Sequence, residues 1–396
     1  MVEGKWSAIG AVVRTFEAAS ISALVLAGIL PASAQAYSYA NIVTAGPGQG
    51  LSLYPAVNSY GVVAYVISPR IGQVLVQTAD GGAPTTIADL RGDLFSISSV
   101  SPPSINVAGT VAFSTVTPDG NGQIIYTGDG GPLVSIADTS GIIQTFFGIP
   151  SINTAGEVAF GAFRRDNTEA LYAASGGTLT PIAETGSMFS SFHNNGGPSL
   201  NDTGDVAFNA DRGGGCGLAI FISSQGVISL VAGSTDDGSF TVIEGRPAIP
   251  TFGAVAFLAF FRADDVSGAG VFVGDSSGAP PTLVAIANVS GTPAMNGAGI
   301  AAYIDVVEGG NEVIYTKTGP DDPAVEVIRT GTPLFGSTAT LLGLSTYGFN
   351  ESGQLTFGAQ LADGRSVIVR ADPGDPEPQP LSSTVSRSKD EQTWRR

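Results

Sequence analysis

A ten-residue phrase recurs along the 396-residue chain at a near-constant step, and that step restricts the fold more than any other feature. Its clearest copies are residues 104–113 (SINVAGTVAF), 151–160 (SINTAGEVAF) and 199–208 (SLNDTGDVAF). Looser copies begin at Ala56, Ala248, Ala294 and Gly348. Anchored on the asparagine, the series is Asn58, Asn106, Asn153, Asn201, Pro250, Asn296 and Asn350, with steps of 48, 47, 48, 49, 46 and 54 residues. A period of this length marks a repeat architecture, in which each unit covers its faces with its neighbours.

One unit, residues 145–185, gives the grammar of the rest. Residues 146–152 are apolar and strand-like, and Asn153 to Gly156 form a turn whose Asn and Gly tolerate positive φ. Residues 157–163 alternate as a second strand, 164–169 are a polar loop, and 170–174 and 178–184 are two further strands around a Ser-Gly-Gly turn. Only 13% of residues are charged, 43% are hydrophobic and 54 are glycine. That composition suits short strands and tight turns. The expectation is an all-β chain: a seven-bladed β-propeller of four-stranded antiparallel blades over residues 37–371. The segment 38–46 reads as a fourth strand and 366–370 as a third strand lacking its fourth. Pairing of 42–45 with 367–370 would close the ring and remove two open edges.

The ends read differently. Residues 1–36 have the pattern of a secretory signal: Lys5 and Arg14, an apolar run over 18–30, then Ala32-Ser33-Ala34 before the expected cut. The apolar run is short for a membrane span. Residues 372–396 begin Asp-Pro-Gly-Asp-Pro-Glu-Pro-Gln-Pro and read as a proline-rich linker and disordered tail. A net charge of −17 repels phosphate backbones and excludes a nucleic-acid role. The single cysteine, Cys216, has no partner for an internal disulfide and lies in a glycine-rich turn. The expected location is secreted or cell-surface, with the periplasm as an alternative, as a monomer with no membrane span in the mature chain.

The phrase Asn-x-x-Gly-x-Val-Ala-Phe resembles the signature of the NxxGxxAF tandem-repeat proteins, exported bacterial proteins that often end in a surface anchor. The resemblance covers residues 38–371. It implies export and a propeller-like repeat, and carries no catalytic residues over. Relatives of this kind often end in a PEP-CTERM signal. Here Pro376-Glu377-Pro378 and Arg395-Arg396 match its two ends, while the apolar span between them is missing.

The recurring Asn and Gly read as turn formers and the Val-Ala-Phe segment as core. Candidate chemistry lies in the loop after each second strand, which carries Asp119, Asp166, Asp211, Asp264, Asp305 and Asp363. The blade-to-blade connections share its face and include Asp93, His193, Asp236, Asp237, Glu244 and Arg246, with Arg164, Arg165, Arg212 and Arg262 interspersed. The candidate ligand-binding set on this face is Arg165, Asp166, His193, Arg212, Asp237 and Arg262. The six loop aspartates are candidate Ca²⁺ ligands, because Ca²⁺ gathers several carboxylate oxygens. A lone histidine, His193, excludes HExxH and multi-histidine metal chemistry. Tryptophan occurs only at Trp6 and Trp394, so a glycan platform would need a residue such as Tyr347. Two functions follow: a non-catalytic scaffold binding a protein or glycan partner, or a secreted glycoside-type hydrolase with paired carboxylates on the acidic central rim.

Overall fold

The computed structural model describes residues 37–192, 196–213, 217–233, 240–251, 253–263 and 266–374. His193, Asp237, Asp264, Cys216, the expected signal segment and residues 375–396 lie outside the described residues; Asp372 and Pro373, expected in the linker, belong to the closing strand because they pair with Ser38 and Tyr37. The chain forms seven antiparallel sheets arranged as the blades of a β-propeller. Blade 3 is the simplest, with strands Ile143–Ile152, Val158–Arg164, Glu169–Ser175 and Thr178–Glu184 paired in sequence order. The only helical turn among the described residues is the short 3₁₀ segment Ile97–Ser99.

The repeat's Val-Ala-Phe triplet shows why such blades stack. Val158, Ala159 and Phe160 are all essentially inaccessible, so both faces of the second strand are covered. Successive side chains point to opposite faces. Phe160 faces back into a cluster with Ala112 and Ile125 of blade 2, and Ala159 faces forward into a cluster with Phe208 of blade 4. The pattern repeats around the ring: Ala64 shares a cluster with Phe113, Ala207 with Phe257 and Ala302 with Phe357. A small residue beside an aromatic is therefore a lock and key between consecutive blades. The alanine leaves the room that the next blade's aromatic fills.

Closure follows the expected route. The opening strand Tyr37–Ala45 pairs antiparallel with Ser366–Pro373, placing Thr44 opposite Val367 and Val43 opposite Ile368. It thus becomes the outer strand of blade 7, whose other strands are Ser337–Phe349 and Leu355–Leu361. Arg370 ties this blade to blade 1 by donating from Nη1 to the Gly61 carbonyl at 2.8 Å.

The inner strand of each long-stranded blade is irregular near the axis. Register breaks fall between Phe147 and Ser151, Glu244 and Ala248, Ser290 and Ala294, and Leu344 and Phe349. Bulges re-aim side chains and let backbones approach. At Gly148, where φ is 72°, an added Cβ would fall 2.5 Å from the Gly197 Cα of the next blade.

Phe160 meets Phe146 edge-on at 5.4 Å and Tyr172 at 5.7 Å. Phe160→Ala is expected to destabilise the fold by about 3–5 kcal/mol through lost burial and a cavity. Denaturant titration checks this; a loss below 1 kcal/mol would place the ring outside the core.

Candidate functional site

The asparagine of the repeat does two jobs. Its backbone carbonyl and side-chain oxygen hold its own turn: the Gly156 N–H donates to the Asn153 carbonyl at 3.0 Å, and the Glu157 N–H to Asn153 Oδ1 at 3.0 Å. The glycine closing the turn has φ between 74° and 86° in all seven units, a region that favours glycine. The side-chain amide then reaches the next blade. Asn58 Nδ2 donates to the Asn106 carbonyl at 3.2 Å, Asn106 to Asn153 at 3.1 Å and Asn153 to Asn201 at 3.3 Å. Asn201 donates to Pro250 at 3.3 Å, Asn296 to Asn350 at 3.4 Å, and Asn350 to Asn58 at 2.8 Å. Six links thus circle the axis, and the seventh is missing because Pro250 has no amide to give to blade 6.

This ring frames an axial cavity of about 140 Å³ lined by residues from all seven blades. Ser199 and Tyr347 lie in its wall. Immediately behind them is Arg246, 2% exposed, carried by the bulge in the blade 5 inner strand Phe240–Ala248. Its Nε donates to Ser199 Oγ at 2.9 Å and its Nη2 to the Pro198 carbonyl. The guanidinium carbon stands 4.7 Å from the centroid of the Tyr347 ring, which partly offsets its burial by cation–π attraction. Nη1 is buried with no hydrogen-bond partner, and the Tyr347 hydroxyl is buried in the same condition. The Ser151 and Ser199 hydroxyls lie near enough to favour the Tyr347 phenolate, yet neither reaches it with hydrogen-bond geometry. Burial pulls the Arg246 pKa down from its ordinary value and pushes that of Tyr347 up. No ion pair among the described residues includes Arg246, so a charge sits at the axis without a counter-charge.

Residues 49–368 match the model of a family described as a family of unknown function, DUF7453. The chain belongs to the DUF7453 family. No curated protein matches it in sequence. Among solved structures, prolyl oligopeptidase B from Galerina marginata aligns at 9% identity and a TM-score of 0.50, over 87% of this chain and 52% of that one. TolB from Acinetobacter baumannii aligns at 16% identity and a TM-score of 0.41, over 82% and 65% of the two chains. Acylaminoacyl peptidase from Pyrococcus horikoshii aligns at 11% and 0.45, over 81% and 52%. The DUF7453 chain therefore spans about half to two thirds of the length of these proteins, and the likeness is one of fold.

On the opposite face of this DUF7453 propeller, Asp119, Asp166, Asp211 and Asp363 are each engaged in their own turn, while Asp305 lies in the second strand of blade 6 and meets the incoming connection. Asp119 accepts from Thr117 Oγ1 at 2.6 Å and from the Asn121 backbone and side chain, which hold its carboxyl below the usual range. Asp166 accepts from the Thr168 hydroxyl and N–H, with the same effect on its pKa. Asp363 is held low chiefly by Arg365, and Asp211 and Asp305 accept from the Gly213 and Asn288 N–H groups. No three acidic, histidine or cysteine residues among those described gather as a metal site. Arg165 braces the neighbouring connection, donating to the Gly141 and Thr139 carbonyls at 2.9 and 2.8 Å. Arg212 follows the second strand of blade 4, and Arg262 is exposed on that of blade 5. Arg165 and Asp166 follow the second strand of blade 3, while Arg212 and Arg262 belong to blades 4 and 5 on the same face.

Several residues are placed differently from the sequence reading. Glu244 and Arg246, expected in a blade-to-blade connection, are inside the inner strand, because the connection ends earlier and the strand runs to Ala248; Arg262 and Asp305, expected in loops, lie within second strands. Tyr347, considered as a glycan platform, has its hydroxyl buried against the axis. The one signal that could have found Arg246 was its position four residues before the Pro250 anchor, on the strand side of the turn.

Asn153→Ala removes the link to blade 4 and the acceptor for the Glu157 N–H. It is expected to cost about 2–4 kcal/mol, whereas the exposed Thr154→Ala should stay within about 0.5 kcal/mol. Denaturant midpoints of the two variants decide this; equal midpoints would reduce the asparagine to an ordinary turn former.

Proposed function

We propose that the protein is an exported, non-catalytic β-propeller that binds a small anionic group at its axis, reached from the face of the asparagine turns. The observation that carries this reading is the unpaired Nη1 of Arg246, buried beside the equally unpartnered Tyr347 hydroxyl. Arginine stays charged in proteins, so its burial is not relieved by losing a proton. A buried charge without a counter-charge is costly, and a carboxylate or similar anion placed against two idle donors would offset that cost. The groups around Arg246 reinforce the sign: its Nη1 and the Tyr347 hydroxyl are idle donors, the Ser199 and Ser151 hydroxyls give their protons to the Pro247 and Leu200 carbonyls, and none is a carboxylate. The cavity volume of about 140 Å³ suits a ligand of a few heavy atoms or the end of a longer one. Arg246 lies behind the Ser199–Tyr347 wall, so binding requires that wall to give.

Export is supported by the basic, apolar and small-residue order of residues 1–36 and by the resemblance of the repeat to exported NxxGxxAF proteins. No helix among the described residues is long and apolar enough to cross a membrane. A role as a scaffold outside the cytoplasm or at the cell surface fits a chain whose acidic loops serve turns and whose reserved charge is at the axis.

Melting curves of dialysed protein with acetate or succinate, against acetamide at matched ionic strength, test the reading. A ligand bound only by the folded state raises the melting temperature, by about 2.7 kcal/mol of stabilisation at a hundredfold excess over its dissociation constant. The anion-specific rise should vanish in Arg246→Met, even if that variant is itself more stable. A rise that survives in Arg246→Met, or one given equally by acetamide, would overturn the proposal.

A further inference from the structure

The joint between blades 5 and 6 differs from the three joints before it, and the difference makes a second site. In blades 3, 4 and 5 an aromatic from the incoming strand or connection covers the motif aromatic. Phe146 meets Phe160 at 5.4 Å and 89°, Phe192 meets Phe208 at 5.9 Å and 70°, and Phe240 meets Phe257 at 6.2 Å and 69°. Blade 6 keeps the underlying pair, Tyr303 tilted at 37° to Tyr315 at 5.9 Å, much as Phe160 is tilted at 31° to Tyr172 at 5.7 Å. It lacks the cover. Phe146 lies seven residues before its anchor Asn153, and seven residues before Asn296 the chain has Val289. Ile143, 3% exposed in blade 3, corresponds to Ile286, which is 54% exposed.

Two further exchanges make the vacancy polar. Ala162 and Ala174, which close the blade 3 cluster, correspond to Asp305 and Lys317. The result is a cavity of about 490 Å³ between the outer strand of blade 5 and the second and third strands of blade 6. Its walls are Leu283 to Ile286 on one side and Tyr303, Tyr315, Asp305 and Lys317 on the other. Asp305 gives one carboxylate oxygen to the Asn288 N–H at 2.8 Å, which orients the group. The volume is in the range of small-molecule sites, and the mix of aromatic wall with a few fixed polar groups is their usual composition.

We propose that this inter-blade pocket binds a planar aromatic ring bearing a charged or hydrogen-bonding substituent, of the size of an aromatic amino acid. The ring takes the edge-on position over Tyr303 that Phe146 occupies over Phe160, a geometry aromatic pairs prefer. Asp305 and Lys317 meet the substituent, since one offers an acceptor and the other a positive charge. The site is independent of the axial one: it lies on the flank of the ring and shares no lining residue with it.

The test fills the vacancy from within. Ligand-observed NMR and calorimetry would use L-phenylalanine, N-acetyl-L-phenylalaninamide and cyclohexylalanine as probes on the full chain and on Val289→Phe. One of the two aromatic probes should bind with a dissociation constant below about 10 mM; the free amino acid binding better points to a metabolite, the blocked amide to a peptide. Val289→Phe should raise the melting temperature and weaken binding by roughly tenfold or more, a loss of about 1.4 kcal/mol. Should Val289→Phe fail to fold, Ala324→Trp blocks the same cavity from its rim. Unchanged affinity in a folded blocking variant, equal binding of cyclohexylalanine, or no aromatic binding at all would each overturn the proposal.

Discussion

The structure depends on a side-chain amide that bonds in two directions. Within six of the seven units the asparagine oxygen holds the turn, accepting the N–H four residues on at 2.8–3.1 Å. Across six of the seven joints the amide nitrogen holds the next blade by its carbonyl. Each asparagine is only 2–6% exposed, so both bonds form out of reach of water, where an unmet polar group is expensive. One residue type thereby couples local geometry to ring closure. The alanine–aromatic lock between consecutive blades adds the apolar part of the same joint.

Drawing the inner strands together has a consequence at the axis. Backbones approach until Gly148 and Gly197 leave no space for a Cβ, and the bulges turn side chains inward. Most inward groups are small or hydroxylic and bond across joints, as Ser104 does to the Pro150 carbonyl at 2.9 Å. Arg246 is the exception. It lies in the blade whose anchor is proline, so the same blade both breaks the asparagine ring and supplies the buried charge. The joint that lacks the asparagine link, between blades 5 and 6, is also the one with an unfilled cavity over Tyr303. Packing is thus uneven around the ring, and the departures from the repeat coincide with the groups available for binding.

Much of the architecture was legible in the chain because a repeat states its rules several times. The 46–54 residue step, the turn and the Val-Ala-Phe triplet gave the blades, and the unmatched strands at 38–46 and 366–370 gave the closure. The second role of asparagine was not legible, since turn chemistry alone explains an Asn-x-x-Gly and the acceptor lies about 48 residues away. Arg246 was hidden for a related reason: a charged residue after Glu244 and Gly245 reads as a loop, and only the bulge draws it inside. The loop aspartates stood out by recurrence, but recurrence in a repeat marks a shared turn as readily as a shared ligand. Val289 carried information only once the structure showed what Phe146 does at the same place.

Native-state hydrogen exchange tests the two-way amide most directly. The amides of Val62, Thr110, Glu157, Ile300 and Gln354, each bonded to a ring asparagine, should exchange only with global unfolding. The amide of Ala254, four residues after Pro250 and with no asparagine oxygen to meet it, should exchange through local opening at a much lower free energy. Equal protection at Ala254, or local exchange at the five linked turns, would contradict the asparagine ring as the constraint that holds the blades together.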